Sequence, residues 1–140
     1  MDPVTDLGET VVRGQRDREA AESFVRAITA PPPGREAATW SDSVCVGALG
    51  MRAEAARFMV DRVSDWANSL GLRIEDPGCR PDILIVAAED GDAMAREMVA
   101  AQPEEFMPNM GDADRGRAAL ETFQTSGAPV RWWHVSLVVN

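Results

Sequence analysis

Residues 43–49 read Ser43-Val44-Cys45-Val46-Gly47-Ala48-Leu49, and residues 82–88 read Asp82-Ile83-Leu84-Ile85-Val86-Ala87-Ala88. Both runs are short, apolar and rich in Val and Ile, a composition typical of β-strands. The second run has no polar alternation, which is typical of a central strand covered on both faces. These two runs are therefore the strands around which we expect the fold to be built.

A long amphipathic helix is predicted between the two runs. Residues 51–70 carry apolar side chains at helical spacing, and Gly71 is a natural C-terminal stop. The apolar positions are Ala56, Met59, Val60, Val63, Trp66, Ala67 and Leu70. Because a strand, a helix and a second strand follow one another, the sequence predicts a β-α-β crossover with parallel strands. Residues 72–75 add a short strand candidate.

The flanking segments complete the predicted fold. Residues 1–8 are predicted to be a flexible leader, and residues 9–140 a single domain. The predicted elements outside the crossover are a short strand at 9–13, a helix at 15–30, a helix from 89–92 to Pro103, a helix from Asp112 or Asp114 to about Phe123, and a final strand at 130–139. The predicted fold class is α/β, with α+β as the alternative. We expect one single-layer mixed sheet of about four strands, with helices packed on it.

The two cysteines, Cys45 and Cys79, lie at the beginnings of the two apolar runs. Their spacing is neither that of a C-x-x-C redox motif nor that of a zinc cluster. Two interpretations remain, one disulfide between neighbouring strand starts or two separately buried thiols. A disulfide indicates an oxidising compartment, whereas reduced cysteines indicate the cytoplasm. Residues 1–20 are polar and lack the apolar segment of a signal peptide.

Composition excludes several classes of function. The chain has 140 residues, 45% hydrophobic content and a formal net charge of -9. This charge argues against sequence-independent binding to nucleic acid, and no apolar run is long enough for a membrane span. All the basic residues are arginine, so a Schiff-base lysine or a P-loop lysine is excluded. No serine lies in a G-x-S-x-G or S-x-x-K motif.

The candidate functional residues lie in two segments. In a strand at 130–139, Trp132 and His134 share one face beside Arg131, and Trp133 lies on the opposite, core-facing side. We therefore expect Trp132, His134 and Arg131 to form a binding surface. The acidic residues Glu89, Asp90 and Asp92 follow a predicted strand, where they serve either as helix caps or as ligands of a hard cation. No catalytic residue, metal ligand or cofactor is assigned from the sequence.

Four segments together resemble a family of uncharacterised exported bacterial proteins. They are Val11-Val12-Arg13-Gly14-Gln15-Arg16, Val44-Cys45-Val46-Gly47, Gly78-Cys79-Arg80-Pro81-Asp82 and Pro129-Val130-Arg131-Trp132-Trp133-His134. The resemblance implies a precursor with a signal peptide, a periplasmic, envelope or secreted location, and a disulfide between the two cysteines. It implies no activity.

The sequence thus favours a non-catalytic exported module that binds a protein or another envelope component through Trp132, His134 and Arg131. One alternative is a small hydrolase or metal-dependent enzyme that uses His134 with Glu89, Asp90 or Asp92. A second alternative is a scaffold fragment of a longer protein.

Overall fold

The fold consists of short parallel strands and five helices in the described part of the chain. The structure is a computed structural model that describes residues 7–31, 36–109 and 113–137, with the backbone alone for residues 7–16 and 28. In chain order the elements are α1 Leu7–Thr29, β1 Ser43–Val44, β2 Val46–Leu49, α2 Ala53–Ser69, β3 Arg73–Ile74, β4 Ile83–Val86, α3 Gly91–Ala101, α4 Pro103–Phe106 and α5 Arg117–Thr125. The predicted class, α/β, is confirmed.

The chain divides into two units, residues 1–38 and residues 39–140. The first contains α1, whose described side chains are exposed. The prediction of a strand at 9–13 is wrong, because these residues lie inside α1. Two adjacent valines do not outweigh the helix-forming residues that surround them, since propensity acts over a whole window. Of the predicted leader, residues 1–6 lie outside the described ranges, and α1 begins at Leu7.

The four strands of the second unit form two parallel pairs. Strand β1 pairs with β3, and β2 pairs with β4 in the register Val46↔Ile83 to Leu49↔Val86. The β-α-β crossover is confirmed, since α2 connects β2 to the parallel strand β4. The single mixed sheet is not observed; all four strands are parallel and pair in twos. A sharp turn follows β2 at Gly50, whose φ of 75° is unfavourable for residues with a Cβ.

The two strand pairs meet at Cys45, which separates β1 from β2. Its sulfur is bonded to Cys79, with the two Cα atoms 6.1 Å apart, so the disulfide interpretation is confirmed. Its backbone N–H donates to Asp82 Oδ2 at 2.8 Å, and its carbonyl accepts from the N–H groups of Asp82 and Ile83 at 2.9 and 3.0 Å. Cys45 and the neighbouring Val44 are fully buried. Cys45 therefore connects the segment between β1 and β2 to residues 79–83 by a covalent bond and three hydrogen bonds.

Helices cover the strands incompletely. Helix α2 packs against β2 and β3 through Ala67, which is buried, and through half-buried neighbours such as Val60 and Val63. The prediction that residues 83–88 form a central strand is wrong for the described residues, since β4 pairs only with β2 and Leu84 is 45% exposed. A continuous apolar run in this case marks an edge strand with one uncovered face.

Three helices build a second cluster of buried side chains. Helix α3 packs against α4 and α5, and the buried residues of this cluster include Ala95, Phe106 and Leu120. Asp90 caps α3, because its Oδ1 accepts from the Ala93 N–H at 2.9 Å. Helix α5 begins later than predicted, with Gly116 at its N-cap. Asp114 accepts from the Gly116 N–H instead of capping the helix directly, and Asp112 lies outside the described residues.

The prediction of a final strand is wrong for residues 130–137, which are irregular, while residues 138–140 lie outside the described ranges. The reason lies in the hydrogen bonds of this segment. Its Ser136 N–H donates to the Ala113 carbonyl at 2.7 Å, and the side chains of Arg131 and Trp133 donate to carbonyls of neighbouring helices. The segment is therefore held by a backbone hydrogen bond to Ala113 and by side-chain hydrogen bonds to helix carbonyls, and not by a strand ladder.

Reduction of the disulfide should lower the free energy of unfolding by about 3–4 kcal/mol, because the bond closes a loop with a sequence separation of 34. Denaturant unfolding with and without reductant measures this difference. The matched control is the double variant Cys45→Ala/Cys79→Ala, whose stability should not respond to reductant. An oxidised protein no more stable than the reduced one would contradict the role assigned to the bond.

Candidate interaction surface

Arg131, one of the predicted binding residues, holds two helix ends together. Its Nη1 lies 2.7 Å from Asp92 Oδ1, in the first turn of α3. The same nitrogen donates to the Phe123 carbonyl, in the last turn of α5, at 2.8 Å. A carboxylate at a helix N-terminus and a cation at a C-terminus both complement the helix dipoles. With side chains only 14% and 30% exposed, Arg131 and Asp92 form the best-shielded ion pair of the described residues.

Further contacts complete the shell around Arg131. Its Nη2 donates to the Ala128 carbonyl at 3.0 Å, and the guanidinium lies against Gly91, where a Cβ would approach Nη2 to 3.2 Å. The Gly127 N–H donates to Asp92 Oδ1 at 3.2 Å. Most of the donor capacity of Arg131 is thus used inside the fold. Its predicted role in ligand binding gains no support from this geometry.

The two adjacent tryptophans occupy different environments. Trp133 packs with Phe106 and Phe123 at ring-centroid distances of 6.5 and 5.9 Å, and its Nε1 donates to the Phe106 carbonyl at 2.9 Å. It therefore belongs to the core of the helical cluster, as expected from the sequence. Trp132 is half-buried beside it. The prediction that Trp132 contributes to a binding surface stays a prediction.

His134 does not share a hydrogen bond or ion pair with Glu89, Asp90 or Asp92 in the described structure. Partial burial, together with the positive charge of Arg115, lowers the pKa of His134 below its ordinary value. Asp90 caps α3 and Asp92 is held by Arg131. Within the described ranges, no group of three or more His, Cys, Asp or Glu side chains is placed to hold a metal ion. The enzyme alternative stays a hypothesis that none of these contacts favours.

An open depression of about 660 Å³ lies beside the disulfide. Its lining consists of Arg73, Ile74, Glu75, Asp76, Pro77 and Cys79. Two of the charged side chains that line it have partners, because Arg73 donates to Asp42 and Glu75 accepts from Ser43, at 2.9 and 2.8 Å. The depression therefore has the character of a wide surface groove between loops and not of an enclosed ligand site.

Four large apolar side chains are exposed on α2 and at its C-cap. Phe58, Met59, Trp66 and Leu70, which we call the outer stripe, are 63%, 39%, 67% and 79% exposed. Phe58 and Met59 lie about two turns before Trp66, and Leu70, the C-cap residue, follows Trp66 by four positions, so that it is next to Trp66 on the helix surface. Arg62 lies between them. Large apolar side chains grouped in this way are characteristic of surfaces that bind another molecule.

The sequence groups Met59, Trp66 and Leu70 with Ala67 in one apolar stripe, but only Ala67 of these four is buried. The inner face is centred on Ala67, about a quarter of a turn away from Trp66. The apolar arc of α2 is wider than the short strands β2 and β3 can cover. A signal was present in the sequence: with Phe58 included, the apolar positions span more than the single face that one sheet requires.

Acid should destabilise the protein partly through Asp92. The Arg131 guanidinium, which donates to the carboxylate, lowers the pKa of Asp92 below its ordinary value; partial burial opposes this shift, and the Gly127 N–H adds to it. The resulting stabilisation is complete above about pH 4, the ordinary pKa of aspartate, and is lost as pH falls through the lower pKa of the folded state. Replacing Asp92 with Asn should flatten stability against pH in this acidic range.

Unfolding midpoints between neutral pH and the acid transition measure this effect for the wild type and Asp92→Asn. The matched variant is Arg131→Gln, which removes the cation and should remove the same part of the pH dependence. The double variant should lose no more of the pH dependence than either single variant does, because the two residues act as one pair. Independent, additive effects of the two substitutions would contradict the pairing.

Comparison of the chain with protein-family models, with curated proteins and with solved structures found no match. The resemblance to exported bacterial proteins therefore remains an expectation from the four sequence segments.

Proposed function

We propose that this chain is a non-catalytic, exported interaction module and that the outer stripe of α2 is its docking surface. The observation that carries the proposal is the exposure of three large apolar side chains, Phe58 and Trp66 on α2 and Leu70 at its C-cap, along one side of the helix. Single exposed apolar residues are ordinary on protein surfaces, whereas several large ones along one side of a helix suit contact with another molecule. Arg62 and Trp66, which are neighbours on this face, belong to two of the residue types most enriched at interface hot spots.

The small core of the second unit supports this proposal. Its buried apolar residues, among those described, are Val44, Cys45, Ala67, Ala95, Phe106, Ala113 and Leu120. Three of these are alanines, so large apolar side chains contribute little to the interior. The large side chains of α2 instead contribute to the surface, where covering them with a partner removes apolar area from water. We infer that this area has been kept for binding.

The disulfide supports the exported part of the proposal. The Cys45–Cys79 bond is compatible with an extracellular or periplasmic location, because such bonds persist in oxidising compartments. No helix of the described residues is long and apolar enough to cross a membrane. The partner proposed here is accordingly a protein in the periplasm, the envelope or the secreted environment, and its contact surface is apolar with aromatic or aliphatic side chains.

The substitution Trp66→Ala should weaken binding of such a partner by about 2 kcal/mol or more, roughly thirtyfold in Kd, because it removes the largest side chain of the outer stripe. Affinity capture with the tagged, oxidised protein from a solubilised envelope extract, followed by titration of the captured protein, measures the change. Circular dichroism and the unfolding midpoint show whether each variant is folded.

The matched control is Trp40→Ala, since Trp40 is 49% exposed but lies outside α2. This variant should capture the same partner as the wild type. The variant Trp132→Ala tests the surface predicted from the sequence in the same experiment. Capture that survives Trp66→Ala but is lost with Trp132→Ala would contradict the docking role of α2.

A further inference from the structure

The outer stripe of α2 is complementary to itself, and we propose that its partner is a second copy of this chain, bound through an antiparallel pair of α2 helices. This inference rests on the proposed function of the outer stripe as a docking surface. It adds the identity of the partner and the register of the contact. Both follow from the spacing of the apolar residues and from the position of two charges.

The spacing defines the register. Phe58, Arg62, Trp66 and Leu70 follow one another at intervals of four residues. They form one ridge that runs along α2 to its C-cap, Leu70, and is about 18 Å long at a rise of about 1.5 Å per residue. When two such ridges run antiparallel about a twofold axis at residue 64, Phe58 lies opposite Leu70 of the second copy. Arg62 then lies opposite Trp66, where a guanidinium can stack on the indole face. Each contact occurs twice, as in any isologous interface.

The charges fit the same register. Arg62 and Asp65 are exposed, and neither takes part in the ion pairs of the described residues. The twofold axis at residue 64 puts Asp65 of one copy and Arg62 of the other only about 1.5 Å apart along the helix axis, so the antiparallel pair brings these two charges side by side. A parallel arrangement would instead place Arg62 beside Arg62, where like charges repel. Charge complementarity therefore selects the antiparallel pair.

The available area is sufficient for a weak dimer. From their exposed fractions, the four side chains of the outer stripe offer about 500 Å² per copy. Two copies would bury about 1,000 Å², which is the lower limit for a specific interface. We therefore expect a dimer that forms at high protein concentration and dissociates on dilution.

Sedimentation velocity of the oxidised full chain over a dilution series tests this expectation. The wild type should shift from dimer to monomer on dilution. Trp66→Ala should raise the dimer dissociation constant at least tenfold, because Trp66 takes part in both central contacts, whereas Trp40→Ala should leave it unchanged. A wild type that is monomeric at every concentration overturns the proposal, as does a dimer that Trp66→Ala does not affect.

A charge exchange tests the register itself. Arg62→Glu alone should weaken the dimer, because each of the two contacts between positions 62 and 65 would then join two carboxylates. Asp65→Arg alone should weaken it because each of these contacts would then join two cations. A mixture of the two variants should associate more strongly than either alone, because the mixed dimer has a complementary pair on both sides. Failure of the mixture to associate overturns the antiparallel register.

The two proposals fail in different ways. If the wild type is monomeric but Trp66→Ala loses capture of a different protein, the second copy is wrong as the partner and the docking surface stands. If the wild type is monomeric and Trp66→Ala captures the same proteins as the wild type, the outer stripe is not a docking surface and both proposals fail.

Discussion

The rest of the structure depends on the fixation of Cys45 against residues 79–83. The sulfur, the N–H and the carbonyl of this one residue are all bound to that segment. As a result, the chain from 43 to 49 is held between β3 and β4, although each strand pair has only two to four residues. Strand pairs this short are marginal by themselves. A covalent bond that limits the unfolded chain compensates for the small number of ladder hydrogen bonds and the small core.

The shortness of the strands also explains why α2 has one buried and one exposed face. The short strands provide a floor for one side of this helix, where Ala67 is buried and the neighbouring aliphatic residues are half-buried. They do not extend far enough to cover Trp66 and Leu70, which remain in solvent at the C-terminal end of the helix. The bonds of Cys45 and the exposed face of α2 therefore have one cause, two short strand pairs that a disulfide stabilises. The proposed function rests on the apolar surface of α2 that the strands leave exposed.

The sequence was most informative where a local pattern and the tertiary environment agree. The helical spacing of 51–70, the Gly71 stop and the apolar runs around the cysteines predict α2, β2 and β4 within a few residues. Which part of the apolar arc of α2 is buried depends on how far the paired strands extend beneath the helix. No local sequence pattern predicts that extent. Likewise, the alternating pattern of residues 130–139 predicts a strand. The hydrogen bonds from the side chains of Arg131 and Trp133 to the carbonyls of Phe123 and Phe106 instead hold residues 131–137 in an irregular conformation. Such long-range partners were invisible to periodicity.

The most direct test of this account is the redox state of the two cysteines in the cells that make the protein. Intact mass after alkylation of free thiols, with and without prior reduction, distinguishes the two states. The account predicts that the unreduced protein takes up no label and is lighter by two hydrogen atoms than the reduced chain. Two alkylated cysteines in the protein as isolated would contradict the account, since the fold would then lack the Cys45–Cys79 disulfide and the compartment would be reducing.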